Sequence, residues 1–121
     1  MAGTVTTTEE TFGSVKKITF DWLSSAGGAA DATTTKLYNG IIERVVTVPD
    51  SGGTAPATIY ALVLQDDDSV DILDGAGAGR SITATQQIDP GGNGAVANAK
   101  LTLGITTAGS GKGRTVYVYL R

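Results

Sequence analysis

At 121 residues, with 40% hydrophobic residues and a formal net charge of −3, the chain has the length of one domain and enough apolar content for one core. The acidic balance argues against non-specific nucleic-acid binding, which needs a basic surface to displace counterions. His and Cys are both absent from the sequence, which removes the commonest general acid/base, the commonest soft metal ligands and any disulfide.

Residues 1–13 are Thr-rich, with Glu9-Glu10 as their only charged side chains. They contain no basic stretch followed by an apolar run, so they do not read as a signal peptide. The expected role is an edge strand, or an arm that orders only on a neighbour. Val5 and Phe12 are its candidate contact residues, and the glutamates are expected to be an exposed pair on a mobile segment. No apolar run approaches the ~20 residues of a membrane helix. A chain made in the cytoplasm is the expectation.

From Ser14 to Leu23, Ile18, Phe20 and Trp22 alternate with Lys17, Thr19 and Asp21, which predicts a strand with Trp22 in the core. Residues 26–34 are a weak helix candidate, opposed by Gly27-Gly28. Asn39-Gly40 predicts a tight turn between Lys36-Leu37-Tyr38 and a strand over 41–48. Pro49 ends that strand, because it has no N–H for a ladder, and Asp50-Ser51-Gly52-Gly53 continues the break. Ala57 to Gln65 is nearly all apolar and predicts a central strand. Asp66-Asp67-Asp68-Ser69 turns it into Val70-Asp71-Ile72-Leu73. Residues 74–79 are a glycine-rich loop. Arg80 to Ile88 alternates again, with Ile82, Ala84, Gln86 and Ile88 on one face, before an irregular loop over 89–94. Ala99 to Thr106 places Leu101, Leu103 and Ile105 inward. After a turn over 107–113, Thr115 to Arg121 forms the last strand, with Val116, Val118 and Leu120 inside.

About eight strands at short spacing predict an all-β fold. Residues 14–121 form a single antiparallel β-sandwich or jelly-roll-like domain, preceded by the segment 1–13.

The candidate chemical motifs fail on spacing. Gly109-Ser110-Gly111-Lys112-Gly113-Arg114 lacks the Ser or Thr after Lys and the helix that a phosphate loop requires. Gly75 to Arg80 shares only glycine content with a dinucleotide fingerprint. Asp66-Asp67-Asp68 with Asp71 and Asp74 offers oxygen ligands for a cation, but a solvated acidic turn is the better reading, because the calcium-loop pattern is missing. A Ser–Lys pair is formally possible, yet nothing in the sequence selects one. The chain therefore reads as no enzyme, with no cofactor and no metal. Tyr117 and Tyr119 alternate with the inner valines of the last strand. With Arg121, they have the composition of a protein contact.

The segment Lys36-Leu37-Tyr38-Asn39-Gly40-Ile41-Ile42-Glu43-Arg44-Val45-Val46-Thr47-Val48-Pro49-Asp50 resembles small virion proteins of tailed bacteriophages, of the head decoration or cement type. So do Thr54-Ala55-Pro56, Asp67 to Gly75 and the stretch from Leu101 to Leu120, and the likeness spans residues 14–121. The resemblance implies a β-rich subunit on the outer capsid surface that binds the major capsid protein and stiffens the shell. Self-association as a dimer or trimer is expected, with neither nucleic acid nor membrane as partner. Two alternatives stand beside it. One is another phage structural part, such as a head–tail joining, tail or spike-base protein. The other is a carbohydrate- or receptor-binding β-sandwich, which calls for an exposed aromatic platform.

Overall fold

A computed structural model describes residues 3–50, 59–82, 84–90 and 95–121. Their nine strands are β1 (Thr4–Phe12), β2 (Val15–Leu23), β3 (Ala30–Thr33), β4 (Tyr38–Pro49), β5 (Ala61–Gln65), β6 (Gln86–Ile88), β7 (Ala95–Ala99), β8 (Thr102–Thr106) and β9 (Gly113–Leu120). No helix occurs among the described residues. One sheet has the order β1-β2-β9-β4-β6, with β7 also paired to β4, and the second has the order β3-β8-β5. Every ladder is antiparallel. The fold is an all-β antiparallel sandwich, as the alternation predicts.

The core lies between the sheets. From the larger one, Ile18, Phe20, Trp22, Val45, Val116, Val118 and Leu120 point inward, and from the smaller one Leu62, Leu64, Leu103 and Ile105 meet them. Each such side chain contributes about 1.5–3 kcal/mol when fully buried. Trp22 is 2% exposed and packs on Tyr60, with ring centroids 5.3 Å apart at 54°.

Five elements depart from the sequence reading. β5, expected as a central strand, is an edge strand of the smaller sheet. Asn39-Gly40 is no hairpin turn, because β4 runs straight through it and shifts register against β7 between Tyr38 and Gly40. Gly40 has φ +136°, so its backbone freedom serves a bulge, and the Asn39 side chain accepts from the Asn98 N–H at 2.7 Å. Residues 70–73 are no ladder strand. Asp71 bridges Gln65, and its carboxylate accepts from the N–H groups of Leu64, Leu73 and Gly75, folding the chain tightly back on β5. Among the described residues of Arg80 to Ile88, only Gln86–Ile88 pairs as a strand, and Arg80 makes an isolated bridge to Tyr60. The stretch from Ala99 to Thr106 divides at Lys100-Leu101 between β7 and β8. The Leu101 N–H turns aside there to the buried Thr34 hydroxyl. The weak helix candidate is a turn followed by β3. The expectations for Ser51-Gly52-Gly53, Thr54-Ala55-Pro56, Ala57 and the loop 91–94 lie outside the described residues.

Candidate functional site

The face of the larger sheet turned away from the core carries the most distinctive constellation. Because side chains alternate along a strand, burying Val116, Val118 and Leu120 places Tyr117 and Tyr119 on the opposite face, half-buried. Three-strand register then assembles the site. Lys17 of β2 and Arg44 of β4 both lie opposite Tyr119, while Thr19 and Val46 flank Tyr117. The two tyrosine rings are 6.4 Å apart and tilted by 33°. The Lys17 ammonium sits 4.8 Å from the Tyr117 centroid, and the Arg44 guanidinium 4.5 Å from that of Tyr119. Cation–π contacts of this exposed kind contribute about 0.5–1 kcal/mol each. Arg44 also donates to the Gln87 side chain at 2.9 Å. Among the described residues neither cation forms an ion pair. The face thus combines aromatic area with positive charge not neutralised by a bound carboxylate.

The other sequence-selected residues lie elsewhere. Val5 faces inward and packs against the core. Phe12 is 58% exposed at the β1–β2 turn. Arg121 follows β9, and its backbone exchanges both hydrogen bonds with Ile41, at 2.9 and 2.8 Å. Leu37 and Ile41, also exposed, precede and open the part of β4 that leads to this end. Lys17 and Arg44 carry no signal in sequence as partners of the tyrosines, since only the registers of β2 and β4 on β9 bring them there.

Glu9 is not an exposed glutamate on a mobile segment. It points inward from β1, and its carboxylate accepts from the Tyr38 hydroxyl at 2.7 Å, the Thr35 hydroxyl at 2.6 Å, and the Thr35 and Lys36 N–H groups at 3.2 Å each. Burial works to raise its pKa, but these four bonds outweigh it and hold the carboxyl below its ordinary value of 4.5. Burial first, then the bond to Glu9 and its negative charge, push the Tyr38 hydroxyl well above the usual range. Glu9 staples β1 to the segment before β4.

Two shallow depressions, of about 260 and 250 Å³, are lined respectively by Thr4, Asp21, Leu23 and Arg114 among others, and by Asp66, Asp71, Asp74 and Ala95 among others. Both fall below the ~300–1,000 Å³ of ordinary ligand pockets. Three carboxylates of the acidic turn, Asp66, Asp67 and Asp71, accept from backbone N–H groups. Asp66 accepts from Asp68 and Val70, and Asp67 accepts from the Lys100 N–H. Among the described residues no group of three acidic side chains is placed to hold a metal ion.

No protein-family model matches the chain, and neither does any curated protein or solved structure. The likeness to phage head proteins drawn from residues 14–121 therefore gains no support from these comparisons.

Proposed function

We propose that the chain is a virion structural subunit that decorates the outside of a capsid and stabilises the shell by bridging major capsid proteins. It acts by binding alone, without catalysis and without a cofactor. The observation that carries this reading is the outward Tyr117–Tyr119 pair between Lys17 and Arg44. Tyrosine and arginine are enriched at the centres of protein interfaces, and a flat sheet face suits a broad protein surface better than a small molecule. The likeness of residues 14–121 to decoration proteins supports the capsid as the partner. Many copies that bind the assembled shell, but not its free subunits, would stabilise it by mass action.

The test uses purified particles with and without the protein. Particles lacking it should release DNA at a lower temperature, and complete particles should carry hundreds of copies. About a dozen copies, with unchanged heat stability, would replace this reading with a head–tail joining role. The Tyr117→Ala/Tyr119→Ala double variant should fold normally and lose attachment to particles.

One observation favours a second reading. Two neighbouring tyrosines on an open face are also what a carbohydrate-binding platform requires. A sugar would have to displace Lys17 and Arg44 from the ring faces, which makes this the weaker reading. Saturable binding to a glycan array, abolished by the same double variant, would establish it.

A further inference from the structure

Sheet edges are aggregation hazards that folds ordinarily cover, shorten or charge, and this sandwich treats its edges unequally. The outer edge of β5 is covered by the chain that follows it. Ile72 N–H donates to Leu64 O at 2.7 Å, Leu62 N–H to Gly77 O at 3.0 Å and Arg80 N–H to Tyr60 O at 2.7 Å. β4 is covered by β6 and β7, which are themselves only three and five residues long. β3, at the other edge of the smaller sheet, has four residues. β1 is different. It is nine residues long, pairs with β2 on one side, and ends the sheet on the other. Among the described residues its outward edge has no regular backbone partner beyond the bond from Gly3 N–H to Ala29 O at its start. Its sequence, Thr4-Val5-Thr6-Thr7-Thr8-Glu9-Glu10-Thr11-Phe12, contains no Pro, Lys or Gly to discourage pairing.

We propose that two copies of this chain pair antiparallel through β1, edge to edge, about a twofold axis at Thr8, joining their larger sheets into one. The register follows from overlap and charge: Thr8 is the midpoint of Thr4–Phe12, so centring there pairs the whole strand. Centring the pair on Glu9 or Glu10 sets glutamates directly opposite each other, which is unfavourable. Centring it on Thr8 sets Glu10 opposite the partner's Thr6 and Glu9 opposite the partner's Thr7. Thr8 then meets Thr8 of the partner subunit, and the exposed Phe12 meets the partner's Thr4. Even-numbered residues face even-numbered ones, so the solvent faces of both sheets stay on one side. The two tyrosine faces would then lie on one continuous surface. The inference concerns the isolated chain and stands apart from the capsid reading.

The cysteine-free sequence makes the test clean. Thr8→Cys, at the axis, should form a disulfide-linked dimer under mild oxidation, because paired strands hold opposite Cα atoms about 4.5–5.5 Å apart, within disulfide reach. Thr19→Cys, its neighbour on β2, should remain monomeric on the same gel, being separated from its counterpart by three strand spacings, about 14 Å. Sedimentation of the unmodified chain should show a reversible dimer. Thr6→Glu places like charges opposite the partner's Glu10 twice per dimer and should weaken it by up to about tenfold. Thr6→Lys should leave it equal or tighter. Circular dichroism on each variant checks that the domain remains folded. A chain that sediments as a monomer at tens of micromolar overturns the proposal. So does a dimer in which Thr8→Cys crosslinks no faster than Thr19→Cys.

Discussion

β2 has two neighbours, and they make an instructive pair. β9 on one side and β1 on the other form antiparallel ladders with it of similar length, so that Phe20 lies opposite Val116 in one and Thr7 in the other. The backbone hydrogen bonding is alike. What differs is the alternate row of side chains. β9 sends Val116, Val118 and Leu120 into the core at 0% exposure, whereas β1 sends Val5, Thr7 and Glu9, all only half-buried. β9 is therefore held by buried area, and β1 by its ladder and one carboxylate. A ladder alone leaves a strand replaceable, and burial makes it obligatory.

The largest effect should come from removing the central strand. Deleting residues 115–121 takes away three fully buried side chains and splits β2 from β4. It should remove most of a typical 5–15 kcal/mol of stability. If the truncated chain melts within a few degrees of the whole, burial does not distinguish the two neighbours of β2. Leu120→Ala, a milder probe of the same strand, should cost about 2–5 kcal/mol in chemical denaturation.

Gly40→Ala comes next. Its φ of +136° is strained for any other residue, and a methyl group there would run into the Arg121 carbonyl oxygen. The expected cost is about 1–3 kcal/mol. A smaller loss in the melting temperature would mean that the β4 bulge can relax. This position also shows where the sequence stops being legible. Asn-Gly signals positive φ, and positive φ is present, but a turn and a bulge need the same freedom. Only the partner strand decides between them, and β7, written Ala95-Val96-Ala97-Asn98-Ala99, has no alternation strong enough to announce itself. β2 and β9 were readable because one face is buried and the other wet. The outward placement of Tyr117 and Tyr119 came with that alternation. Lys17, Arg44 and Glu9 were not readable as site or anchor residues, since their partners lie on other strands or 26–29 positions away.

Glu9→Ala attacks the edge strand at its side-chain anchor. It removes the acceptor of four hydrogen bonds, three of them solvent-exposed, so the cost should sit at about 1–2 kcal/mol, the lower part of the range for orphaned donors. The effect depends on pH with a definite sign. A carboxyl whose folded pKa lies below its ordinary value stabilises fully above that value, 4.5, and loses the contribution as pH falls through the folded value. The gap between Glu9→Ala and the parent chain should narrow below about pH 4, as read from denaturant midpoints at pH 7 and pH 3. A gap that stays constant would mean that the Glu9 contribution does not depend on its charge, and no gap at either pH would mean that β1 is held without it.

The smallest effect separates two buried tyrosines, one at each end of the comparison. The Tyr38 hydroxyl donates to Glu9 and belongs to the anchor of β1. The Tyr60 hydroxyl lies in the core on Trp22, where, among the described residues, it, Thr47 Oγ1 and Trp22 Nε1 are buried without a hydrogen-bond partner. Burial pushes the Tyr60 pKa up, against the opposing pull of the nearby Thr47 hydroxyl and the Arg80 charge. Tyr38→Phe should cost about 1 kcal/mol, the net value of an ordinary hydrogen bond. Tyr60→Phe keeps the ring on Trp22 and deletes only an unpaired polar atom, so it should be neutral or slightly stabilising. In thermal melts the first substitution should lower the midpoint by a few degrees, and the second should leave it in place or raise it. If Tyr60→Phe lowers the midpoint as much as Tyr38→Phe does, the core hydroxyl is bonded in solution, and the region behind β9 is held by polar contacts as well as by buried area.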